Sequence, residues 1–457
     1  MRERIEELLL AGDQGSETSA KKLGPARILS DESMLEGELA ANFVVSSSSS
    51  LATFLKEKKD QSLSYQAYAS LTSLTAAAVP SEDAELIGID FSSFNQCLSL
   101  EDYAGQPCLL ADAGCTIEEV EAFLKTKGYR LPFRPSETNA SLGGVVSNGA
   151  AGGSLQGGRS EKEALLDSLI GVLALTAEGE TVLLSKQSEI KAAEVVGSEG
   201  EFLFFIRFLF LLEAIPAFSW QLFFTFEQKE NLYSFWAERL EQKMPELVQL
   251  DFISAEIVKI YNAEKGSVSE LKDLPNIAGE GPALYLVLES EDEARLENAL
   301  VTLLESFLAL GEAEENTIAA ETEAERRNFQ KMRHGLVTLL LEKLRKAPPL
   351  AHLDCILPPE ELLKQVLEAG IEEPYLLLHC LSGRIHLFEL LQTAEARAEF
   401  TQKELRAAKK SFEIYAEWKN ENGVGRMKRE LWEQFSSEKQ RKRRAELKQH
   451  FDPNGKL

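Results

Sequence analysis

The sequence predicts an α+β protein of two domains. Its 457 residues exceed the roughly 100–200 residues that one domain usually holds. From about Leu51 to Pro216, short apolar runs of strand character alternate with short helical segments. From about Phe218 to Leu390, long acidic amphipathic patterns separate the apolar runs. Because a sheet must bury an apolar face, this second pattern indicates a sheet covered by helices.

The composition excludes several classes of protein. A hydrophobic content of 44% and a charged content of 27% are typical of a folded chain and not of a disordered one. The net charge is −25, and it is uneven, because residues 401–457 carry +6 and the preceding residues carry −31. Such an acidic body repels nucleic acid and anionic membranes, so we expect no nucleic-acid partner.

The cysteines and the apolar runs favour a cytoplasmic protein without a membrane anchor. The five cysteines are scattered and form no CxxC pair, so we expect neither a disulfide framework nor a cysteine-bound metal cluster. The N-terminal residues are too charged for a secretory signal. The longest apolar run, Phe202–Leu212, is about half the ~20 residues that a bilayer span needs. We interpret it as a buried strand and do not expect membrane association.

Local signals predict the elements of the first half of the chain. Residues up to about Ala40 are expected to form two short helices. Ser46–Ser50 follow a strand-like run and are expected to cap a helix near Leu51. Thr116, followed by two glutamates, predicts the N-cap of a helix to Lys127. The predicted strands of this half include Glu85–Asp90, Cys108–Asp112 and Ser168–Leu175.

Longer helices are predicted in the second half. Their apolar residues recur with the period of an amphipathic helix, while acidic residues occupy the other face. The predicted helices span Ser290–Leu310, Glu321–Lys346, Ala394–Trp418 and Met427–His450, and a predicted strand spans Ala283–Leu288.

Residues 143–158 form a glycine-rich segment with seven glycines in sixteen positions. At this density we expect neither a helix nor a regular strand. Glycine permits positive φ and a close approach of ligand to backbone, and exposed amides in such turns bind phosphate. The segment lacks the dinucleotide fingerprint and the Walker pattern. On glycine content alone, a phosphate site and a flexible surface loop are equally supported.

His379 and His386 lie in two strand-like runs on either side of Ser382-Gly383. A two-residue turn at that dipeptide predicts a hairpin in which the two histidines face each other. Directly opposed residues share a face, with Cβ atoms about 4.5–5.5 Å apart. Two imidazoles in that position can hold one divalent cation such as zinc. Two ordinary sheet histidines are the equally supported alternative.

Several motifs in a fixed order resemble the flavoproteins with an FAD-binding domain of the PCMH type, in the vanillyl-alcohol-oxidase superfamily. The motifs are the glycine-rich segment with Pro135 before it, Gly197-Ser198-Glu199-Gly200, the two histidines, and Glu421-Asn422-Gly423-Val424-Gly425-Arg426. They are most similar to the branch of glycolate oxidase, D-lactate dehydrogenase and D-2-hydroxyglutarate dehydrogenase. The resemblance implies an FAD-binding domain over 38–216 and a C-terminal α+β cap domain over 217–457, with 420–457 returning to the FAD domain.

The resemblance also implies which residues contact FAD. They are Thr72, Ser73, Leu74, Pro135, Ser141, Gly143, Gly144, Ser147, Asn148, Gly149 and Ile206. The first phosphate loop of the family is rich in glycine, whereas Tyr68–Ala78 has none. An alanine or leucine at positive φ costs about 1–2 kcal/mol, and five glycines are replaced. We therefore expect a weakened flavin affinity or a rebuilt loop.

In the metal-dependent members of the family, a divalent cation binds at the positions of His379, His386 and Glu421. The resemblance further implies that Arg333 holds the carboxylate of the substrate, since a guanidinium can bind both oxygens. Without the resemblance, Arg333 would be interpreted as part of a solvated helix face.

Two positions differ from the family pattern. The histidine expected to act as the base is Asn422, and an asparagine does not accept a proton near neutral pH. His352, where the branch often has lysine, is the candidate that could replace the base. Phe388 stands where a polar asparagine is expected.

The resulting hypothesis is an FAD-dependent dehydrogenase or oxidase of a small D-2-hydroxy acid that passes a hydride to the flavin and then electrons to a separate acceptor. Two alternatives stay open. The chain could be a catalytically degenerate relative that keeps the fold for binding, which Asn422 and the missing glycines favour. It could also be a flavoenzyme with non-redox chemistry on a lipid-like ester.

Overall fold

The computed structural model describes residues 2–10, 23–80, 85–156, 158–345, 350–369 and 374–457. The chain forms two compact units. Unit 1 contains Met1–Gly152, Glu161–Ile215 and Glu421–Leu457. Unit 2 contains Gly153–Ser160 and Pro216–Asn420. The residues before the predicted start of the FAD domain belong to unit 1, and the last six residues of the glycine-rich segment belong to unit 2.

The elements alternate along the whole described chain. The helices are α1 (Arg2–Leu10), α2 (Ser48–Lys58), α3 (Ile117–Lys125), α4 (Leu142–Asn148), α5 (Glu161–Ser168), α6 (Lys229–Glu241), α7 (Ala255–Glu264), α8 (Glu293–Ala309), α9 (Glu323–Arg345), α10 (Pro359–Ala369), α11 (Ala394–Tyr415), α12 (Arg429–Phe435) and α13 (Glu438–Phe451). The strands are β1 (Arg27–Ser30), β2 (Glu36–Leu39), β3 (Ala41–Val44), β4 (Ser64–Tyr68), β5 (Leu86–Asp90), β6 (Leu98–Tyr103), β7 (Gln106–Asp112), β8 (Tyr129–Arg130), β9 (Leu155–Gln156), β10 (Arg159–Ser160), β11 (Leu169–Leu175), β12 (Thr181–Ser185), β13 (Phe204–Leu211), β14 (Glu213–Ala214), β15 (Phe218–Thr225), β16 (Leu247–Ile253), β17 (Ala283–Ser290), β18 (Thr317–Ala320), β19 (Leu350–Ile356), β20 (Leu376–His379) and β21 (Arg384–Leu390).

Unit 1 is built on two sheets. One is parallel, in the order β3-β5-β4, and the other is antiparallel, in the order β12-β11-β13-β7-β6. Every residue of β11 is buried, because helices and loops cover both faces of the antiparallel sheet. Helix α1 packs Ile5 and Leu9 over Gly171, where an added Cβ would lie 2.7 Å from Ile5. The predicted buried strand at Phe202–Leu212 is confirmed as β13.

Two predicted helix caps are confirmed. The Oγ1 of Thr116 accepts from the amide of Glu119 at 3.2 Å, and the Glu119 carboxylate accepts from the Thr116 amide at 2.9 Å. Ser47 caps α2 in the same way, with its Oγ accepting from the amide of Ser50 at 3.0 Å. Both arrangements satisfy amides that lack a partner in the first helical turn.

Three local predictions are wrong. The second N-terminal helix is replaced by the hairpin of β1 and β2, while residues 11–22 lie outside the described part. The long C-terminal helix is two helices, α12 and α13, because Ser437 caps a new start. The glycine-rich segment begins as a helix, α4, despite its composition.

Unit 2 is an antiparallel sheet in the order β18-β15-β17-β16-β20-β21-β19. Helices α8 and α9 pack on β15, and α11 packs on β19. The apolar residues of β17 are buried from Ala283 to Leu288, as the alternation of helices and strands predicts. Both units combine helices with sheets, so the predicted α+β class is confirmed. In the described residues, no helix has the length and hydropathy to cross a bilayer.

Candidate functional site

A row of buried polar side chains crosses the sheet of unit 2. Asp251 pairs with Tyr285 and with His379, and His379 pairs with Arg384. Because directly opposed residues share a face, these side chains lie on one side of the sheet. His386 lies two residues beyond Arg384 and has Asp354 opposite. A polar side chain is costly to bury unless it is hydrogen-bonded. A row of such side chains across six neighbouring strands is therefore a candidate for a functional site. The members are Gln221, Tyr285, Asp251, His379, Arg384, His386 and Asp354.

Asp251 is fully buried at the centre of this row. Its Oδ2 accepts from Nε of Arg333 at 2.8 Å and from Nε2 of Gln249 at 2.8 Å. Its Oδ1 lies 2.7 Å from Nδ1 of His379. Burial alone would raise the pKa of Asp251, but His379 and Arg333 outweigh burial and hold the pKa well below its usual range. The carboxylate therefore stays ionised and fixes both neighbours.

Arg333 lies on α9 and is buried rather than solvated. Its Nε is held by Asp251, whereas its Nη1 is buried without a hydrogen bond to any described residue. A guanidinium with a donor left over can bind a further anionic oxygen, and a carboxylate matches its planar fork. This observation favours the predicted role of Arg333 over the solvated alternative.

The two histidines share a face, but the predicted register is wrong. His379 pairs with Arg384, and His386 pairs with Leu377. The turn is longer than two residues, because Gly383 has φ +72 and its amide donates to the carbonyl of His379 at 2.8 Å. His386 is thus displaced by two residues and lies diagonal to His379. The ring centroids are nevertheless 5.3 Å apart, with the rings nearly perpendicular.

His352 contacts the second of these histidines. Its Nε2 lies 3.2 Å from Nδ1 of His386, and its ring stacks on Phe388 with centroids 4.5 Å apart. Because one tautomer of each ring gives a donor facing an acceptor, this contact orients His386. In this structure His352 therefore contacts His386 and fixes the orientation of its ring.

The imidazoles fit a divalent cation by their chemistry. In both His379 and His386, Nδ1 lies against a protein partner, and Nε2 is the other ring nitrogen that an imidazole can offer to a cation. A carboxylate behind a histidine fixes its orientation and raises the basicity of the coordinating nitrogen. Glu421, the third predicted ligand, is the first residue of the last segment of unit 1.

The glycine-rich segment provides the N-terminal turn of α4. Oγ of Ser141 accepts from the amide of Gly144 at 3.1 Å. The amide of Gly143 donates to the carbonyl of Ala113 at 2.7 Å, and a Cβ at Gly143 would lie 2.9 Å from that oxygen. Gly143 therefore allows the helix to approach the backbone closely. Gly149, at φ 63, ends the helix.

Other predicted flavin contacts lie around this helix or in the core of unit 1. The carbonyl of Ser147 accepts from the amide of Glu199 at 2.8 Å. A Cβ at Gly423 would lie 3.5 Å from the side chain of Asn148. Pro135 is buried. Ile206 is fully buried in β13, and its carbonyl accepts from the amide of Ala113 at 2.9 Å.

The first phosphate loop keeps part of a glycine-like conformation. Leu71 and Ala76 both have φ 57, and they stand at two of the five glycine positions of the family. The expectation that all five replacements are strained is wrong, because Ala69, Ser70 and Ala77 are not at positive φ. Two residues in the left-handed region cost about 1–2 kcal/mol each.

Thr72, Ser73 and Leu74 form the tip of this loop and are half-buried. Oγ of Ser73 accepts from the amides of Thr75 and Ala77 at 3.1 and 3.2 Å. Within the described residues, the amides of Ser70–Leu74 donate to no group. Backbone amides in a loop with left-handed residues form a concavity for anions. The loop therefore fits the diphosphate of a dinucleotide.

The segment that carries Asn422 is fixed within unit 1. The carbonyl of Asn422 accepts from Oγ1 of Thr75 at 3.3 Å. The carboxylate of Glu199 accepts from the amides of Val424 and, at 2.9 Å, Gly425. Burial raises the pKa of Glu199 in spite of these donors. Asn422 and the predicted flavin contacts belong to unit 1, whereas Arg333, His352, His379 and His386 belong to unit 2.

Sequence reasoning missed Asp251 and Gln249. The signal was present, because Leu247–Ile253 places an acidic residue and an amide inside an otherwise apolar strand. A charged residue at a buried strand position needs a partner, and that requirement marks it as a candidate for a site.

Comparison with known protein families places the chain in the class of two-domain flavoproteins. A family model described as "FAD binding domain" matches residues 40–185, and one described as "FAD linked oxidases, C-terminal domain" matches residues 246–457. The chain belongs to the family of FAD-linked oxidases with a PCMH-type FAD-binding domain.

A curated relative matches a shorter part of the chain. It is "D-2-hydroxyglutarate dehydrogenase, mitochondrial" from Arabidopsis thaliana, which is 30% identical over 115 residues. The alignment covers 24% of this chain and 18% of the relative. The likeness thus concerns a fraction of both proteins.

Proposed function

We propose that this protein is an FAD-dependent oxidoreductase that oxidises a D-2-hydroxy acid, with D-lactate, glycolate and D-2-hydroxyglutarate as the substrates to test. One observation carries the proposal: a single carboxylate, that of Asp251, holds both Arg333 and His379 within 2.8 Å. An anion-binding group and a coordinating imidazole therefore lie within the span of one small molecule. A 2-hydroxy acid carries its carboxylate and its hydroxyl on adjacent carbons and suits such a pair.

Each residue has a distinct proposed role. Arg333 binds the substrate carboxylate through its outer nitrogens, since its Nε is already held. Nε2 of His379, Nε2 of His386 and the carboxylate of Glu421 are the proposed cation ligands. When bound, FAD supplies the hydride acceptor and a divalent cation supplies a Lewis acid for the substrate hydroxyl. The reduced protein then passes electrons to a separate acceptor.

The base is the weak point of the proposed site. Asn422 does not accept a proton near neutral pH. His352 was the candidate to replace it, but its Nε2 meets Nδ1 of His386 at 3.2 Å. We therefore propose that His352 orients His386 and does not act on the substrate directly. Turnover is expected to be slow compared with an enzyme that has a positioned base, which contributes about 10²–10⁴-fold.

A second candidate function is binding without turnover on the same fold. Asn422 favours it, as do Leu71 and Ala76, whose φ of 57 strains the first phosphate loop. In that case the protein would bind FAD or a hydroxy acid and would not reduce the flavin.

One assay separates the two candidates. The purified protein is loaded with FAD and zinc, and the visible absorbance of the oxidised flavin is followed after addition of each hydroxy acid. Bleaching, with reduction of an added dye acceptor, supports the dehydrogenase. Bound flavin that no hydroxy acid bleaches supports the binding protein. Failure to bind FAD would contradict the dehydrogenase, and failure to bind either FAD or a hydroxy acid would contradict both candidates.

A further inference from the structure

The carboxylate of Asp251 receives three donors inside unit 2 and is fully buried. We propose that Asp251 is the positioning residue of the site: it fixes His379 for a divalent cation through Oδ1 and Arg333 for an anionic substrate group through Oδ2. The roles of the cation and of the anionic substrate group in this inference rest on the proposed function. The contacts of Asp251 do not depend on that function, because all of them lie within one unit.

The division of the two oxygens is the first step of the argument. Among the described residues, Oδ1 accepts only from the imidazole, at 2.7 Å, whereas Oδ2 accepts from both Arg333 and Gln249 at 2.8 Å. An ionised carboxylate accepts hydrogen bonds and cannot donate them. The hydrogen of a neutral His379 must therefore lie on Nδ1, and its lone pair must lie on Nε2. Asp251 thus selects the tautomer that a cation needs.

A second layer holds the carboxylate in place. The Oε1 of Gln249 accepts from Oγ of Ser154 at 3.0 Å, so the chain of hydrogen bonds runs from Ser154 to Gln249 to Asp251. Gly153 lies beside the same imidazole, since an added Cβ would be 2.0 Å from Nδ1 of His379. The segment Gly153–Ser160 belongs to unit 2 with these residues. Gly153 and Ser154, from the glycine-rich segment, therefore help to hold His379 and its partner Asp251 in place.

The decisive variant is Asp251→Asn, which keeps the shape and changes the donors. The new amide group must face either Arg333 and Gln249, which both donate, or His379. Arginine cannot give up its hydrogen, but histidine can move its own from Nδ1 to Nε2. We expect the amide to face His379 and the tautomer to switch. Zinc affinity should then fall by about 10- to 100-fold, as for other residues behind a metal ligand.

The readout is ¹⁵N NMR of histidine-labelled protein without metal, alongside equilibrium titration with zinc. The chain has five histidines, so the ring nitrogens of His379 can be assigned by a His379→Gln variant. An unchanged tautomer together with unchanged zinc affinity would overturn the proposal. Neither measurement uses turnover, so the failure of the dehydrogenase assay would leave this result distinct.

A matched control separates positioning from loss of stability. Asp112 forms an equally buried contact with Arg207, at 2.7 Å between Oδ1 and Nε, in unit 1. Asp112→Asn also removes a buried charge opposite an arginine, and it should leave the tautomer of His379 unchanged. If Asp112→Asn changed the His379 signals as much as Asp251→Asn, the proposed role would be wrong.

A pair of glycine variants keeps the test open if Asp251→Asn does not fold. Gly153→Ala places a methyl group against the His379 ring and should weaken zinc binding, because the ring must move. Gly266→Ala is the control, since nothing lies within 4 Å of its added Cβ and it belongs to the same unit. Equal zinc affinity in the two variants would contradict the proposal that zinc binding depends on holding Nδ1 of His379 against Asp251.

Discussion

Asn422 stands where the family pattern has the histidine expected to act as a base. Its backbone is fixed, because its carbonyl accepts from Thr75 and the amides that follow are held by Glu199. A new side chain at this position would therefore occupy a defined place. This makes the position suitable for a test that gains function rather than losing it.

We predict that Asn422→His raises kcat for the oxidation of a D-2-hydroxy acid by about 10²–10⁴-fold, the usual contribution of a positioned base. The measurement is steady-state reduction of a dye acceptor by the protein loaded with FAD and zinc. Asn454→His, at an exposed position of unit 1, is the control and should change nothing. No gain in the first variant would show that a missing base does not limit turnover.

Arg333 allows a second test at the level of one side chain. We predict that Arg333→Lys raises the KM for the hydroxy acid by about 10- to 100-fold, since a hydrogen bond to a charged group contributes about 1.5–3 kcal/mol. A lysine keeps the charge but cannot bind Asp251 and a substrate carboxylate with one planar group. Steady-state kinetics give the KM, and the flavin absorbance should stay unchanged.

The control for Arg333 lies on the same helix. Arg327 is exposed on α9, so Arg327→Lys should leave the KM unaltered. If both variants behaved alike, Arg333 would not bind the substrate.

Among the elements, the loop after β4 shows how a conformation can persist without its usual residues. Leu71 and Ala76 keep φ 57, although glycine adopts this region at far lower cost. The neighbours of Ala76 compensate, because Oγ of Ser73 accepts from two amides of the loop. The strain is therefore local and can be relieved at one position.

We predict that Ala76→Gly leaves the free energy of unfolding almost unchanged, whereas Ala77→Gly lowers it by about 0.4–1 kcal/mol. At Ala76, relief of about 1–2 kcal/mol of strain offsets the added entropy of the unfolded chain and the loss of a buried methyl group. At Ala77, where φ is negative, no strain is relieved. Urea denaturation of both variants gives the comparison, and an equal loss would contradict the assigned strain.

At the level of the whole molecule, the acidic charge and the buried carboxyls act together. Burial raises the pKa of Asp31, Asp112 and Glu199. A carboxyl whose pKa is raised by folding contributes stability at low pH and loses it as pH rises through its folded pKa. The net charge is −25, and repulsion between the negatively charged side chains decreases as acidic residues are protonated.

We therefore predict that the melting temperature rises as the pH falls from about 8 to about 5. The buried carboxyls titrate on this side of the unfolded carboxyl pKa of roughly 4, because burial raises their pKa in the folded protein. Asp251 has the opposite sign, because its depressed pKa contributes stability that is lost only at lower pH. Circular dichroism at constant ionic strength measures the profile. Glu199→Gln should flatten it, and a steady fall in melting temperature from pH 8 to 5 would refute the prediction.

Sequence alone determined the two-part α+β organisation, the caps at Ser47 and Thr116, and the strand at β13. These features depend on hydrophobic period and on local hydrogen bonds, which neighbours in sequence provide. The motifs also pointed to Arg333 and to the two histidines. Their roles as ligands and binding groups stay predictions.

Only the tertiary structure decided how those side chains are held. The register of His379 depends on the length of a turn, and a change of two residues in the loop moves its partner from His386 to Arg384. The helix at Leu142–Asn148 packs closely because Gly143 can approach the carbonyl of Ala113, a residue distant in sequence. Asp251 became visible as the common partner of Arg333 and His379 only when three separate segments met in one sheet and its covering helix. Hydrogen bonds between distant segments leave no periodic pattern in the sequence. The sequence alone therefore identifies candidate residues, whereas their hydrogen-bond partners depend on the tertiary structure.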